Sequence, residues 1–375
     1  MTKIKFQATT LVSLYYLWTE SFGKEEKTKP VLEAFQDDRI LSIAKARPSE
    51  FSYETFSSLR ELKTKLNERE IQTFEEFEEN IKILFPKDAE RMLPVLKNTF
   101  EGLSDYVEKK GVKDKIEKTL ETLNAEQDRY QNLLNNISVF LGFKTEQNIP
   151  CCINIYPDKK FNDGSSSDIG CQLSYSLTSD GGEYVNDTLI PVRKMSVPMH
   201  EATHYLFSHS EFRKNLSEEK FSLEIYNSLC EFLEQNPEEK LNSNRSSKQE
   251  AVLAIDEALA SCSSVLYKEE VNGEKLPKNY DWYYGFESAN QLAQRIYPKF
   301  REYILAGKQL DNAFFEELDI EELRSAILNA SAQKKTQQQK QETPYGVPNG
   351  YPSIPQQKGR NLSPLFLAKI NGGKQ

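Results

Sequence analysis

Apolar residues return every three or four positions through most of the first 145 residues, on a background rich in Glu and Lys. Phe74, Phe77, Ile81 and Leu84 share one face, and Leu120, Leu123, Tyr130 and Leu134 repeat the spacing. This is the period of helices with one side against a core. Pro30, Pro48, Pro86 and Gly111 interrupt the run, and no fixed-period repeat stands out. The pattern predicts a helical N-terminal region over 1–145, beginning with an amphipathic helix around Thr10–Trp18. The texture changes at Asn148-Ile149-Pro150. Cys151–Tyr156 (CCINIY), Cys171–Leu177 (CQLSYSL) and Thr188–Val192 (TLIPV) read as three short strands. A polar loop over Asp158–Gly170 and a turn at Asp180-Gly181-Gly182 separate them. Pro191 marks an edge or a strand end. A helix follows, with Ser196 as a candidate N-cap and Pro198 in its first turn. Ser217–Gln235, Glu250–Tyr267, Phe286–Ala306 and Ala313–Ala330 carry further helical spacing. From Ser331 the chain turns Gln-rich, then Pro- and Gly-rich, and reads as a disordered tail. The expectation is an α+β fold, mainly α, with a small and mostly antiparallel sheet. Its parts are 1–145, 146–330 and 331–375.

Composition narrows the class. The net charge of −9 lacks the basic stripe that nucleic-acid binding needs. The charge is uneven, because the segment from Ser331 carries seven Lys/Arg against one Glu. A solvated tail is the plain reading. Five cysteines in so long a chain, with no CxxC spacing, suit reduced thiols and a cytoplasmic setting. Lys3 and Lys5 before the apolar stretch give the N-terminus a weak signal-like look, but the stretch is short and no small-x-small cleavage site follows. No run has the length of a membrane span.

All three histidines fall within ten residues, at His200, His204 and His209. His200-Glu201-Ala202-Thr203-His204 reads HExxH. On a helix the two imidazoles lie one turn apart on one face, about 6 Å apart at Cβ. Two neutral ring nitrogens so placed can take two corners of a Zn²⁺ tetrahedron, with Glu201 free to act on a water as general base. A catalytic zinc site needs a third protein ligand. His209 lies five residues after His204, on another part of the face. Glu224 has a suitable gap but no supporting surroundings. Glu250 and Glu257 share a later helix, roughly on one face. Glu257 is favoured, since Ala254, Ala258, Ala260 and Ser261 let that helix approach closely. Helix propensity alone would also explain the alanines.

Ala254-Ile255-Asp256-Glu257-Ala258-Leu259-Ala260, read with the HExxH stretch, resembles the second signature of the gluzincin metallopeptidases. The resemblance covers about Cys151–Lys299. It implies a zincin-like catalytic domain, a Zn²⁺ held by His200, His204 and Glu257, and hydrolysis of peptide or protein substrates with Glu201 as base. It also implies a donor for the oxyanion, for which Tyr283 and Tyr284 are the candidates and Tyr226 a weaker one. Two departures stand out. The gap between His204 and Glu257 is long, and Ser261 occupies a position where many members have an Asp supporting a His. Asp256 or a backbone carbonyl would have to serve instead. CQLSYSL is a candidate edge for pairing an extended substrate, or else an internal strand. The alternative from another class is a non-catalytic helical interaction protein with a degenerate or structural metal site. Oligomeric state is not legible.

Overall fold

The computed structural model describes residues 1–22, 25–109, 112–125, 127–156, 163–167, 169–176, 184–185, 188–189, 196–217, 224–276, 286–316 and 318–342. Tyr283, Tyr284, the turn at 180–182 and the tail beyond Glu342 lie outside them. The chain is mainly helical, as expected, and divides into two compact units. The first takes Met1–Asn135 and Thr145–Ser208; the second takes Asn136–Lys144 and the described residues from His209 onward. Among the described residues no helix is long and apolar enough to cross a membrane.

The first unit opens on a strand, β1 (Lys3–Gln7), where the sequence reading had only helix. Its signal is a period of two: Ile4 and Phe6 are buried while Lys3 and Lys5 are exposed. Next come α1 (Thr10–Glu20), α2 (Glu25–Ala34), α3 (Asp38–Leu41), α4 (Tyr53–Asn67), α5 (Phe74–Leu84), α6 (Ala89–Lys109), α7 (Val112–Ala125) and α8 (Gln127–Phe140). The strands β2 (Asn148–Tyr156), β3 (Asp163–Ser167), β4 (Gly170–Ser176), β5 (Tyr184–Val185) and β6 (Thr188–Leu189) lead to α9 (Ser196–His209).

Helix α1 is not amphipathic. Leu14, Tyr15, Leu17 and Trp18 are wholly buried, and every residue from Leu11 to Thr19 except Ser13 is buried. A helix apolar on all sides belongs inside a core. Two of its buried polar groups find partners there: Trp18 Nε1 donates to the Ala46 carbonyl at 2.8 Å, and the Tyr15 hydroxyl to that of Leu59 at 3.0 Å.

The main sheet has the order β1-β2-β4-β3. β1, β2 and β4 run parallel, and β3 alone is antiparallel, which corrects the expected mostly antiparallel sheet. The cause is connection length. The run α1–α8 separates β1 from β2, and only a long crossover can return a strand in the same direction. β2 shows the matching composition, since Cys151, Cys152 and Ile153 in succession are all buried, as in a strand covered on both faces. Part of the stretch read as a polar loop is the edge strand β3. Of the two readings of CQLSYSL, edge or internal, the internal one holds: Cys171–Ser176 lie in β4, between β2 and β3. Gly170 begins β4 at φ +139, where an added Cβ would sit 2.8 Å from the Pro150 carbonyl oxygen. β5 and β6 form a separate antiparallel pair.

The second unit is built on α10 (Glu211–Ser217), α11 (Glu224–Gln235), α12 (Ser247–Glu270), α13 (Glu287–Leu305) and α14 (Ile320–Glu342). Ser246 and Gln249 form a reciprocal cap that starts α12. Most side chains from Glu250 to Tyr267 are buried, so α12 is the central helix. Phe140, at the end of α8, packs edge-to-face on Phe300 and Phe314, each at 5.2 Å between ring centres. α14 continues through Ser331 to Glu342, where a disordered tail was expected. Ala, Gln and Lys in that stretch are good helix formers, and polarity alone does not end a helix.

Candidate metal centre

The HExxH residues lie on α9, as their spacing requires. Met199, Ala202, Leu206 and Phe207 are wholly buried and fix the rotation of the helix. The Thr203 hydroxyl donates to the Met199 carbonyl at 2.8 Å. That rotation sets His200 and His204 side by side. Their Nε2 atoms are 3.1 Å apart, and the rings cross at 82° with centres 4.7 Å apart. His204 and Glu201 are buried, while His200 is half-buried. The Cys151 thiol of β2 is pushed well above the usual thiol range, chiefly by burial and further by Cys171, Cys152 and the Glu201 carboxylate.

The third group is Glu257. One ligand atom from each of His200, His204 and Glu257 can be chosen so that all lie within 4.8 Å of one another. Among the described residues this is the one such group of His, Cys, Asp or Glu. The donor set fits a zinc ion. Tetrahedral bonds of about 2.1 Å put neighbouring ligand atoms about 3.3 Å apart. The imidazole pair is already at 3.1 Å, and a carboxylate on a flexible stem can close the remaining gap by rotation. Two Nε2 lone pairs directed at one point repel unless a proton or a cation lies between them.

The rival carboxylates are placed elsewhere. Glu250 is fully buried, but its Oε1 takes Arg245 Nη1 at 3.2 Å and its Oε2 the Leu241 amide at 2.9 Å. Burial pushes the Glu250 carboxyl above the usual range, against the lowering pull of the Leu241 amide and Arg245. Glu224 is exposed at the start of α11, and His209 is exposed at the end of α9. Asp256 is buried beside Glu257 in sequence, and Tyr226 is buried in α11. Sequence reasoning missed the Arg245 partner that commits Glu250, signalled only by a short polar spacing before a helix.

No family model, no curated protein and no solved structure matches the chain.

Proposed function

We propose that the chain is a zinc-dependent peptidase of the HExxH type, similar in plan to the gluzincins. The observation that carries this reading is the convergence of two imidazole nitrogens, 3.1 Å apart, with the Glu257 carboxylate within 4.8 Å. His200, His204 and Glu257 would hold the ion. When bound, zinc would polarise the scissile carbonyl and make water a better nucleophile near neutral pH. The remaining work falls to this chain's own residues. Glu201 precedes Ala202 on the buried side of α9, and its carboxylate is withdrawn from bulk water. It would take the proton from the attacking water and return it to the departing amide nitrogen. The oxyanion needs a hydrogen-bond donor. Tyr283 and Tyr284 remain the proposed donors, with Tyr226 as the third candidate.

The test joins metal content with activity. Purified protein should hold close to one zinc per chain and cleave casein or a mixed peptide library. Glu201→Gln should keep the zinc and lose about 10²–10⁴-fold in rate. Equal cleavage by wild type and Glu201→Gln would end the peptidase reading.

A further inference from the structure

The first unit contains a cavity of about 260 Å³ at the carboxyl ends of β1 and β2. β1 runs into α1 there, and Ile153 stands one residue past the last β1–β2 pair, Gln7 with Cys152. In sheets with parallel strands this is the end at which ligands bind. None of His200, Glu201, His204 or Glu257 lines the cavity, so its occupant is a question separate from the peptidase reading.

The wall has two parts. The inner part is apolar and includes Phe35, Tyr106, Leu120 and Ile153. Phe35 and Ile153 are buried, and Phe35 packs edge-to-face on Tyr106 with 5.1 Å between ring centres. The volume exceeds the roughly 150 Å³ that suffices for a benzene-sized guest, so a phenyl or branched aliphatic group fits. Packed interiors hold few voids of this size.

The rim is charged and hydroxylic, with Glu108 from α6, Lys113 and Glu117 from α7, and Thr10 and Ser13 from α1. Lys113 and Glu117 are four residues apart, so they are neighbours on one face of α7, about 6 Å apart at Cβ. Lys113 also meets Glu108 at 4.0 Å, but the two side chains are 57% and 69% exposed, and a pair so wet holds neither charge firmly. A positive and a negative group therefore stand side by side where the cavity opens. Thr10 and Ser13 lie three apart and bring two hydroxyls from one face of α1. The first turn of α1 carries no acid, so its positive end is left to favour an anion.

An apolar guest would leave this rim unanswered, and a simple amine or acid would answer half of it. A group that answers all of it has both charges close together and an apolar side chain beyond them. We propose that the cavity binds a free α-amino acid with an aromatic or branched aliphatic side chain. The side chain lies against Phe35, Tyr106, Leu120 and Ile153. The ammonium faces Glu117, and the carboxylate faces Lys113 and the hydroxyls of α1.

Binding to the full chain, followed by saturation-transfer NMR at neutral pH, tests this. The probes are L-phenylalanine, L-alanine, phenethylamine, which lacks the carboxylate, and 3-phenylpropionate, which lacks the amine. Wild type should bind L-phenylalanine at least about ten-fold tighter than each of the others, because each lacks either a charged hydrogen bond or most of the apolar surface. Glu117→Gln should weaken L-phenylalanine and phenethylamine by about ten-fold and leave 3-phenylpropionate unchanged. Lys113→Gln should weaken L-phenylalanine and 3-phenylpropionate and leave phenethylamine unchanged. Both side chains are exposed, so the variants should keep the wild-type circular dichroism, and loss of fold would not produce the crossed pattern. The proposal is overturned if L-phenylalanine gives no signal at millimolar concentration. It is equally overturned if L-alanine or either half-analogue binds as tightly, or if both variants bind L-phenylalanine like wild type.

Discussion

Glu250 and Glu257 lie two turns apart on one helix, and both are withdrawn from water, at 0% and 4% exposure. Their surroundings separate them. Glu250 is closed into an ion pair with Arg245, itself 4% exposed at its side chain, and takes the Leu241 amide. That is an internal arrangement with its charge already answered. Glu257 instead has a carboxylate oxygen within 4.8 Å of a ring nitrogen of both His200 and His204. A buried carboxylate is costly without a cation, and in the proposed peptidase a metal ion held together with the two imidazoles would be that cation. The pair teaches that burial of an acid says little about function until its counter-charge is known.

The largest effect that would sharpen this contrast is on metal binding. Glu257→Ala should lower zinc affinity by at least about 100-fold, more than loss of an outer-shell partner does. Glu250→Ala should leave it near wild type. Equilibrium dialysis against a zinc chelator separates the two, and equal affinities would break the comparison. The next effect is on stability. Glu250→Ala leaves the Arg245 charge buried without its carboxylate and should cost about 3–5 kcal/mol in urea unfolding. Arg245→Ala should destabilise too, and the double variant should be less destabilised than the two losses added together.

The smallest effect is on pH dependence. Burial raises the folded-state pKa of Glu250, so the folded protein holds this proton more tightly than the unfolded chain. Its contribution to stability is then full below the ordinary carboxylate range and is lost as pH rises through the raised value. Glu250→Gln mimics the protonated group. The melting temperature of wild type minus that of Glu250→Gln should therefore fall as pH rises from acid to neutral. A difference that grows with pH would show that Arg245 and the Leu241 amide outweigh burial.

Much of the site could be read from the sequence because its first part is local. His200 and His204 are four residues apart, and a helical turn makes them neighbours whatever surrounds them. Glu257 could be ranked above Glu224 and Glu250 on its small neighbours, but its rivals could be set aside only with partners in view. The Arg245 that commits Glu250 is five residues away in sequence and looks like any polar loop residue. The fold was less legible. Three parallel strands came from segments that seemed unrelated: five residues at the N-terminus, a short apolar run after Asn148, and a segment with strand-like alternation. Strand direction depends on the path of the chain between strands, which no local pattern records.

The sequence by itself determined the helical character of the chain, the position of the histidine helix and the placement of its two imidazoles one turn apart on that helix. These follow from spacing on one element, where geometry is fixed by the backbone. Only the tertiary structure decided that β1 joins β2, that β4 is internal, that α1 is buried on all sides, and which carboxylate converges with the imidazoles. Each of these depends on contacts between residues distant in the chain, and such contacts are set by packing and counter-charge rather than by local order.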